Sequence, residues 1–306
     1  MTKQQTVGFI GVGVMGHPMA INLMAKGYPV IAFDVQDAAM EAIVKAGAQR
    51  ASSIREVCDQ TRVVFTSLPS PAVFTQVMLG EEGIASGKAV KIAVDLSTVG
   101  PRSTKAAAAG LHEHGIALID APVSGGAAGA QKGTLTVMAA GGEAALNEVK
   151  SLLEIFGKLV VIGKEPGQAQ LLKLLNNMLS STAFAITAEA YVAGVKGGLD
   201  PQLMMDVINV SSGRSAASQE KFIRQVLPRT FDFGFPISSI CKDIGLAIEE
   251  CEALGVPMWV GSQARQLWKF ALKQDGVGRD MTELVTYLEK WSGAEPPPAI
   301  KPEPLK

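Results

Sequence analysis

The sequence predicts an α/β fold, an N-terminal Rossmann-type doubly wound sheet followed by an all-α C-terminal domain. Three observations carry this expectation. Up to about Gly163, short β-branched runs alternate with helical stretches. Those runs are apolar at consecutive positions, as strands covered on both faces must be. After Gly163 the β-branched alternation stops, and helical periodicity punctuated by Gly or Pro takes over.

Taken in order, "TVGFIGV" is a strand leading into a helix through Lys26, "PVIAFDV" one leading into a helix through Ala46, and "RVVFTSLP" one leading to a helix near Met78. There follow "AVKIAVDLST", a helix from Pro101 to about His114, "IALIDAPVS", "TLTVMAAGG", a helix from about Ala144 to Phe156, and "KLVVIG". The helical half reads as Gly167 to Lys196, Pro201 to Val210, Ala216 to Gln225, Ile237 to Leu254, Pro257 to Gln274 and Met281 to Trp291. The first of these contains no proline, and its near-thirty residues reach about 45 Å at 1.5 Å each. Such a helix can support both domains and carry a dimer contact. The expected boundaries are a dinucleotide-binding domain over 1–163, a helical domain over 164–293, and a Pro-rich tail over 294–306, "AEPPPAIKPEPLK", with no apolar face and a frayed, extended conformation.

Composition narrows the function classes. A chain of 306 residues with 47% apolar and 19% charged residues describes a soluble protein with sizeable cores, and a net charge of −1 gives no general attraction for nucleic acid or anionic membrane. "LLNNMLSSTAFAITAEAYVAGV" is long and apolar, but paired Asn, paired Ser and Glu189 interrupt it, so a buried helix is expected rather than a membrane span. Cys58, Cys241 and Cys251 are scattered and lack metal-ligand spacing. They read as reduced residues of a cytoplasmic protein, and no basic-then-apolar leader precedes the first strand.

The first chemical motif is "GFIGVGVMGHPMA". Gly11, Gly13 and Gly16 stand as G-x-G-x-x-G between a strand and a helix, with Val12, Val14 and Met15 filling the turn. The first glycine permits the tight turn, the second lets a pyrophosphate approach, and the third allows close helix–strand packing. The unpaired amides of the first helical turn then face the phosphates. Asp34 ends the second strand eighteen residues beyond Gly16, where the adenosine ribose would lie. A carboxylate there accepts from both ribose hydroxyls and repels a 2′-phosphate, and no Arg follows in the next few positions, which favours NAD over NADP. An alternative role for Asp34 is to cap the helix that follows Val35.

Three further stretches carry chemistry. In "DAPVSGGAAGAQKGTLTVMAAGG", successive amides at Ser124, Gly125 and Gly126 can form an anion-binding concavity suited to a carboxylate, the alternative being a turn that needs glycine for its dihedral angles. In "GQAQLLKLLNNML", Lys173 and Asn177 lie four apart and about 40° apart on one helix face. A desolvated lysine there gives up its proton more readily and suits acid–base work on a carbonyl–alcohol pair, with Asn177 orienting it or binding a substrate oxygen. The alternative is a lysine snorkelling at a solvated edge. In "KDIGLAIEECEALGVP", Lys242 and Asp243 stand at an expected helix start, where Asp243 could serve the helix terminus and Lys242 could lie in solvent.

Together these stretches resemble the β-hydroxyacid dehydrogenase family, which includes 3-hydroxyisobutyrate dehydrogenases and tartronate semialdehyde reductases. "GVGVMGHPMAINLMAKG" resembles the family's cofactor signature, "DAPVSGGAAGAQKGTLTVMAAGG" its substrate signature, "GQAQLLKLLNN" its catalytic signature and "KDIGLA" its final cofactor-side signature, from Val7 to about Glu289. The resemblance implies a Rossmann domain with a helical partner domain, and an oxidoreductase passing a hydride between nicotinamide C4 and the carbon of a small β-hydroxy acid. It implies Lys173 as general acid/base, Asn177 on the reacting hydroxyl or another substrate oxygen, and Ser124, Gly125 and Gly126 on the carboxylate. Lys242 would sit beside the nicotinamide, Thr98 on its ribose, and Leu68 and Pro69 on the adenosine side. It also implies a homodimer or homotetramer. The sequence departs from many relatives at Gln170 and Leu172, expected to reshape the wall near Lys173, and in the "SSI" before Lys242. Arg214 in "SSGRSAAS" either pairs with a second substrate carboxylate or lies on the surface. Two other functions share the scaffold: imine reductases, whose members generally lack the lysine, and non-catalytic dinucleotide-binding modules, which tend to lose the lysine or the glycine pair.

Overall fold

The computed structural model describes residues 5–301 and divides into two compact units, Met1–Leu174 and Leu175–Lys306, which part within one long helix. The first unit holds a nine-stranded sheet: β1 (Val7–Ile10), β2 (Val30–Phe33), β3 (Gln49–Arg50), β4 (Val63–Thr66), β5 (Ile92–Asp95), β6 (Ala117–Asp120), β7 (Val123–Ser124), β8 (Leu135–Ala140) and β9 (Gly157–Gly163). Its helices are α1 (Gly16–Ala25), α2 (Asp37–Lys45), α3 (Ile54–Gln60), α4 (Pro71–Leu79), α5 (Pro101–Glu113), α6 (Gly126–Lys132) and α7 (Glu143–Leu153). The sheet order is β3-β2-β1-β4-β5-β6-β8-β7, with β9 on β8. Strands β1 to β6 run parallel through helical crossovers, whereas β8 is antiparallel to β6 and β7, so the sheet is mixed.

The continuous apolar runs have the expected cause. Along β1, Val7 and Phe9 enter one core with Phe65 and Val94, and Ile10 enters the opposite one with Val64, Ala93 and Phe74. Both faces of the central strands are covered, so their polar side chains, Thr66, Asp95 and Asp120, stand at the carboxyl ends of β4, β5 and β6. The two-residue strand β3, the seven-residue helices α3 and α6 and the short 3-10 turn Ile84–Ser86 escape the sequence reading, and the run "IALIDAPVS" divides into β6 and β7. For α3 a signal exists, since Ser53 accepts from the Glu56 amide at 3.1 Å, the Ser-x-x-Glu start pattern. The helix is too short for its apolar period to show.

The second unit takes most of α8 (Gln168–Lys196), then α9 (Pro201–Val210), α10 (Ile237–Ala253), α11 (Trp259–Ala271) and α12 (Leu284–Ser292). Its core gathers Phe184, Tyr191, Phe222 and Trp268, with the Phe184 and Phe222 ring centres 5.3 Å apart. The expected α-helix over Ala216 to Gln225 is instead a π-helical segment, Ala217–Val226. The expected helix to Gln274 breaks at Asp275, whose φ is +95°. Within the expected Pro-rich tail, residues 294–301 are irregular but held, because the Ile300 amide donates to the Leu227 carbonyl at 2.8 Å and Ile300 packs on the helical core. The rest of that tail lies outside the described residues.

Candidate active site

Residues Gly11, Asp34, Leu68 and Thr98 all follow the carboxyl ends of parallel strands β1, β2, β4 and β5, and β1 is where the strand order reverses. Ligands of open parallel sheets bind at that edge. Gly11 has φ of +86°, and a Cβ there would run into the Ser67 carbonyl. A Cβ on Gly16 would run into the Gly11 carbonyl, which explains the third glycine by close packing. Gly13 has nothing within 4 Å of where its Cβ would stand, and Met15, the residue before α1, makes no side-chain cap. The start of α1 therefore offers backbone amides beside open space, a fit for a pyrophosphate. Val12 is buried behind this turn and Val14 is exposed.

The Asp34 carboxylate ties the turn to β2, accepting from the Val12 amide and the Gln36 amide, each at 2.8 Å. The capping alternative does not hold, because Gln36 is the residue that precedes α2. A buried network fixes the next two loops. Asp95 Oδ1 accepts from the Thr66 hydroxyl at 2.7 Å and the Ser97 hydroxyl at 2.6 Å, and Ser97 Oγ in turn accepts from the Leu68 amide at 2.8 Å. Leu68 is half-buried, Pro69 exposed and Thr98 half-buried.

Gln170 is fully buried; its Oε1 accepts from the Val99 and Gly100 amides at 3.0 and 3.1 Å, and its Nε2 donates to the Ser97 carbonyl at 2.9 Å. Leu172 points outward, 40% exposed. Gln170 thus clamps the Thr98 loop to the first turn of α8. The same turn is capped from afar by Asp120, whose oxygens accept from the Gly167 and Gln170 amides at 3.0 Å each. Burial pushes the Asp120 carboxyl up to about 6, against the pull of those two amides. None of Asp95, Ser97 or Asp120 was singled out from sequence, since each has a partner, a hydroxyl or a backbone amide, that only the fold brings near.

Ser124 ends β7, and Gly125 and Gly126 follow at φ of +130° and +64°, both exposed, with open space beside Gly126. On α8, Lys173 is 7% exposed, so it is no snorkelling edge lysine. Asn177, one turn further, donates from Nδ2 to Asp243 Oδ2 at 2.7 Å, and Lys242 Nζ stands 3.2 Å from the other oxygen of the same carboxylate. Asp243 is 2% exposed, and α10 begins at Ile237, so Asp243 and Lys242 lie in its second turn rather than at its start. Serving the helix terminus is excluded for Asp243; it is the bridge that orients Asn177 and Lys242 together. Arg214 lies exposed on the turn after α9.

Comparison with known proteins gives a consistent picture. Residues 6–163 match the family described as the NAD binding domain of 6-phosphogluconate dehydrogenase, and residues 167–288 the one described as NAD-binding of NADP-dependent 3-hydroxyisobutyrate dehydrogenase. A 2-(hydroxymethyl)glutarate dehydrogenase of Eubacterium barkeri is 39% identical, covering 96% of this chain and 98% of its own length. The mitochondrial 3-hydroxyisobutyrate dehydrogenase of Mus musculus is 35% identical over 95% of this chain and 89% of its own. A solved 3-hydroxyisobutyrate dehydrogenase of Mycobacterium tuberculosis, determined with L-serine, is 30% identical and shares the fold at a TM-score of 0.85 over 93% of this chain and 99% of that one. With both halves matched and these relatives spanning nearly the whole length, the chain belongs to the β-hydroxyacid dehydrogenase family of NAD(P)-binding oxidoreductases.

Proposed function

We propose that the protein interconverts a small β-hydroxy acid and its semialdehyde, with Lys173 as the general acid/base and NAD as the preferred cofactor. The observation that carries this reading is Lys173 itself, an amine buried on α8 one turn before an Asn177 whose amide is held by Asp243. When bound, the nicotinamide supplies the hydride acceptor of the oxidation and the donor of the reverse reaction. Lys173 Nζ takes the hydroxyl proton as the alcohol is oxidised and returns it as the semialdehyde is reduced. Asn177 holds the reacting oxygen, and its fixed amide avoids reorganisation during the reaction. The amides of Ser124, Gly125 and Gly126, with the Ser124 hydroxyl, hold the substrate carboxylate.

The cofactor lies over Gly11 to Gly16, with Leu68 and Pro69 on the adenosine side, Thr98 on the nicotinamide ribose and Lys242 beside the nicotinamide. The NAD preference rests on Asp34, which is only partly buried and sits at the end of β2. Arg50, on the neighbouring strand β3, is engaged by Asp37 at 2.6 Å. A homo-oligomer in the cytoplasm completes the proposal.

The test is Lys173→Ala assayed at 340 nm with a β-hydroxy-acid panel, NAD against NADP. Turnover is expected to fall about 10²- to 10⁴-fold while NADH binding by fluorescence is retained. Turnover near the parent rate would remove Lys173 from the chemistry, and a preference for NADP would remove the role assigned to Asp34.

A further inference from the structure

Lys221 is buried, 6% exposed, yet no carboxylate among the described residues pairs with it. Its Nζ donates to Ser180 Oγ at 3.3 Å and lies 4.9 Å from the centre of the Phe233 ring. Burial pulls its pKa down; Glu220, its exposed neighbour in sequence, acts weakly in the other direction. A desolvated ammonium with only a hydroxyl and a ring face for company is costly, which points to a missing anion.

Its place on α8 indicates which anion. Ser180 is seven residues beyond Lys173, and seven steps of 100° return to within about 20° of the starting direction, with Asn177 falling about 40° to the other side. Lys173, Asn177 and Ser180 therefore share one stripe of the helix. Lys221 touches that stripe about 10 Å along the axis from Lys173. It reaches there from the π-helical segment Ala217–Val226, a rare winding that concentrates at functional sites. The loop that follows is held in place by Arg229, at φ of 59°, through two hydrogen bonds of 2.9 Å to Glu289.

We propose that Lys221 is a specificity-determining residue that binds a second carboxylate on the substrate, so that the preferred substrate is a dicarboxylic β-hydroxy acid. The inference rests on the reading of Lys173 and Asn177 given above. Subtracting two hydrogen bonds of about 2.9 Å from the axial separation leaves about 5 Å between the reacting oxygen and the far carboxylate, a spacer of a few carbons. A single ammonium backed by one hydroxyl suits a monoanionic carboxylate; a phosphate calls for more donors. Arg214, exposed in water, gains less from such a pair than a buried lysine does.

The experiment compares parent, Lys221→Met and Lys221→Arg on 2-(hydroxymethyl)glutarate and 3-hydroxyisobutyrate. The parent should favour the dicarboxylate at least about tenfold in kcat/KM, mostly through KM. Lys221→Met should lose about tenfold to a hundredfold on the dicarboxylate and stay within about twofold on the monocarboxylate, with Lys221→Arg restoring part of the preference. Equal losses on both acids, or an unchanged preference, overturn the proposal. If the parent oxidises neither acid, the reading of the reaction fails, and calorimetric titration of glutarate and butyrate into NADH-loaded parent and Lys221→Met decides Lys221 separately. Tighter glutarate binding that disappears in Lys221→Met supports the site; equal binding in both proteins sinks it.

Discussion

Asp243 serves two partners with one carboxylate, and that makes it the positioning residue most sensitive to a change of charge. Each oxygen has its own neighbour, Asn177 Nδ2 at 2.7 Å and Lys242 Nζ at 3.2 Å. In Asp243→Asn one oxygen becomes an amide nitrogen, which repels whichever donor it faces. Hydrogen bonds to charged groups are worth about 1.5–3 kcal/mol, so kcat should fall about tenfold or more. If the role is positioning, kcat falls in protein that is still fully folded at the assay temperature and still binds NADH; a loss of stability with unchanged kcat would make Asp243 merely structural. At this scale the sequence was readable where chemistry depends on local spacing, as with Lys173 and Asn177 one turn apart. It was unreadable for Asn177 and Asp243, whose bond spans 66 positions and exists only because the fold brings these points of α8 and α10 together.

Among the elements, α8 depends on an acid from outside itself. Asp120, at the end of β6, accepts from its first amides, and its buried carboxyl is raised from 3.8 to about 6. A group that holds its proton more tightly when folded contributes stability below its unfolded pKa, and loses it as pH rises through the folded one. The parent should therefore lose up to about 3 kcal/mol relative to Asp120→Asn between about pH 4 and pH 6, with the difference constant above about pH 7. Denaturant unfolding of both proteins across that range checks this, and a level difference would give the carboxyl an ordinary pKa. The extent of α8 was legible from its unbroken periodicity and lack of proline. The π winding of Ala217–Val226 was not, since apolar spacing cannot tell a wide turn from a standard one when neighbouring helices impose it.

For the whole molecule, the open question is assembly, and the second unit shows where to look. Leu179 and Ile186 on α8 are 68% and 59% exposed, and Leu203, Val207 and Val210 form an exposed stripe on α9. Helix α8 is long and apolar enough by composition to cross a membrane, but Phe184, Ala188 and Tyr191 on its other face are buried in protein, so lipid cannot surround it. A second copy of the chain is the expected cover. Leu179→Lys with Ile186→Lys should reduce the mass seen by analytical ultracentrifugation to that of one chain; an unchanged mass would place the contact elsewhere. By itself the sequence determined the class of fold, the glycine turn and the lysine–asparagine pair, because each is written in neighbouring residues a few positions apart. Only tertiary structure decided that Gln170 clamps a loop, that Asp120 caps a distant helix, that Asp243 bridges Asn177 to Lys242 and that Lys221 is buried, because each depends on burial and on groups brought together from remote parts of the chain.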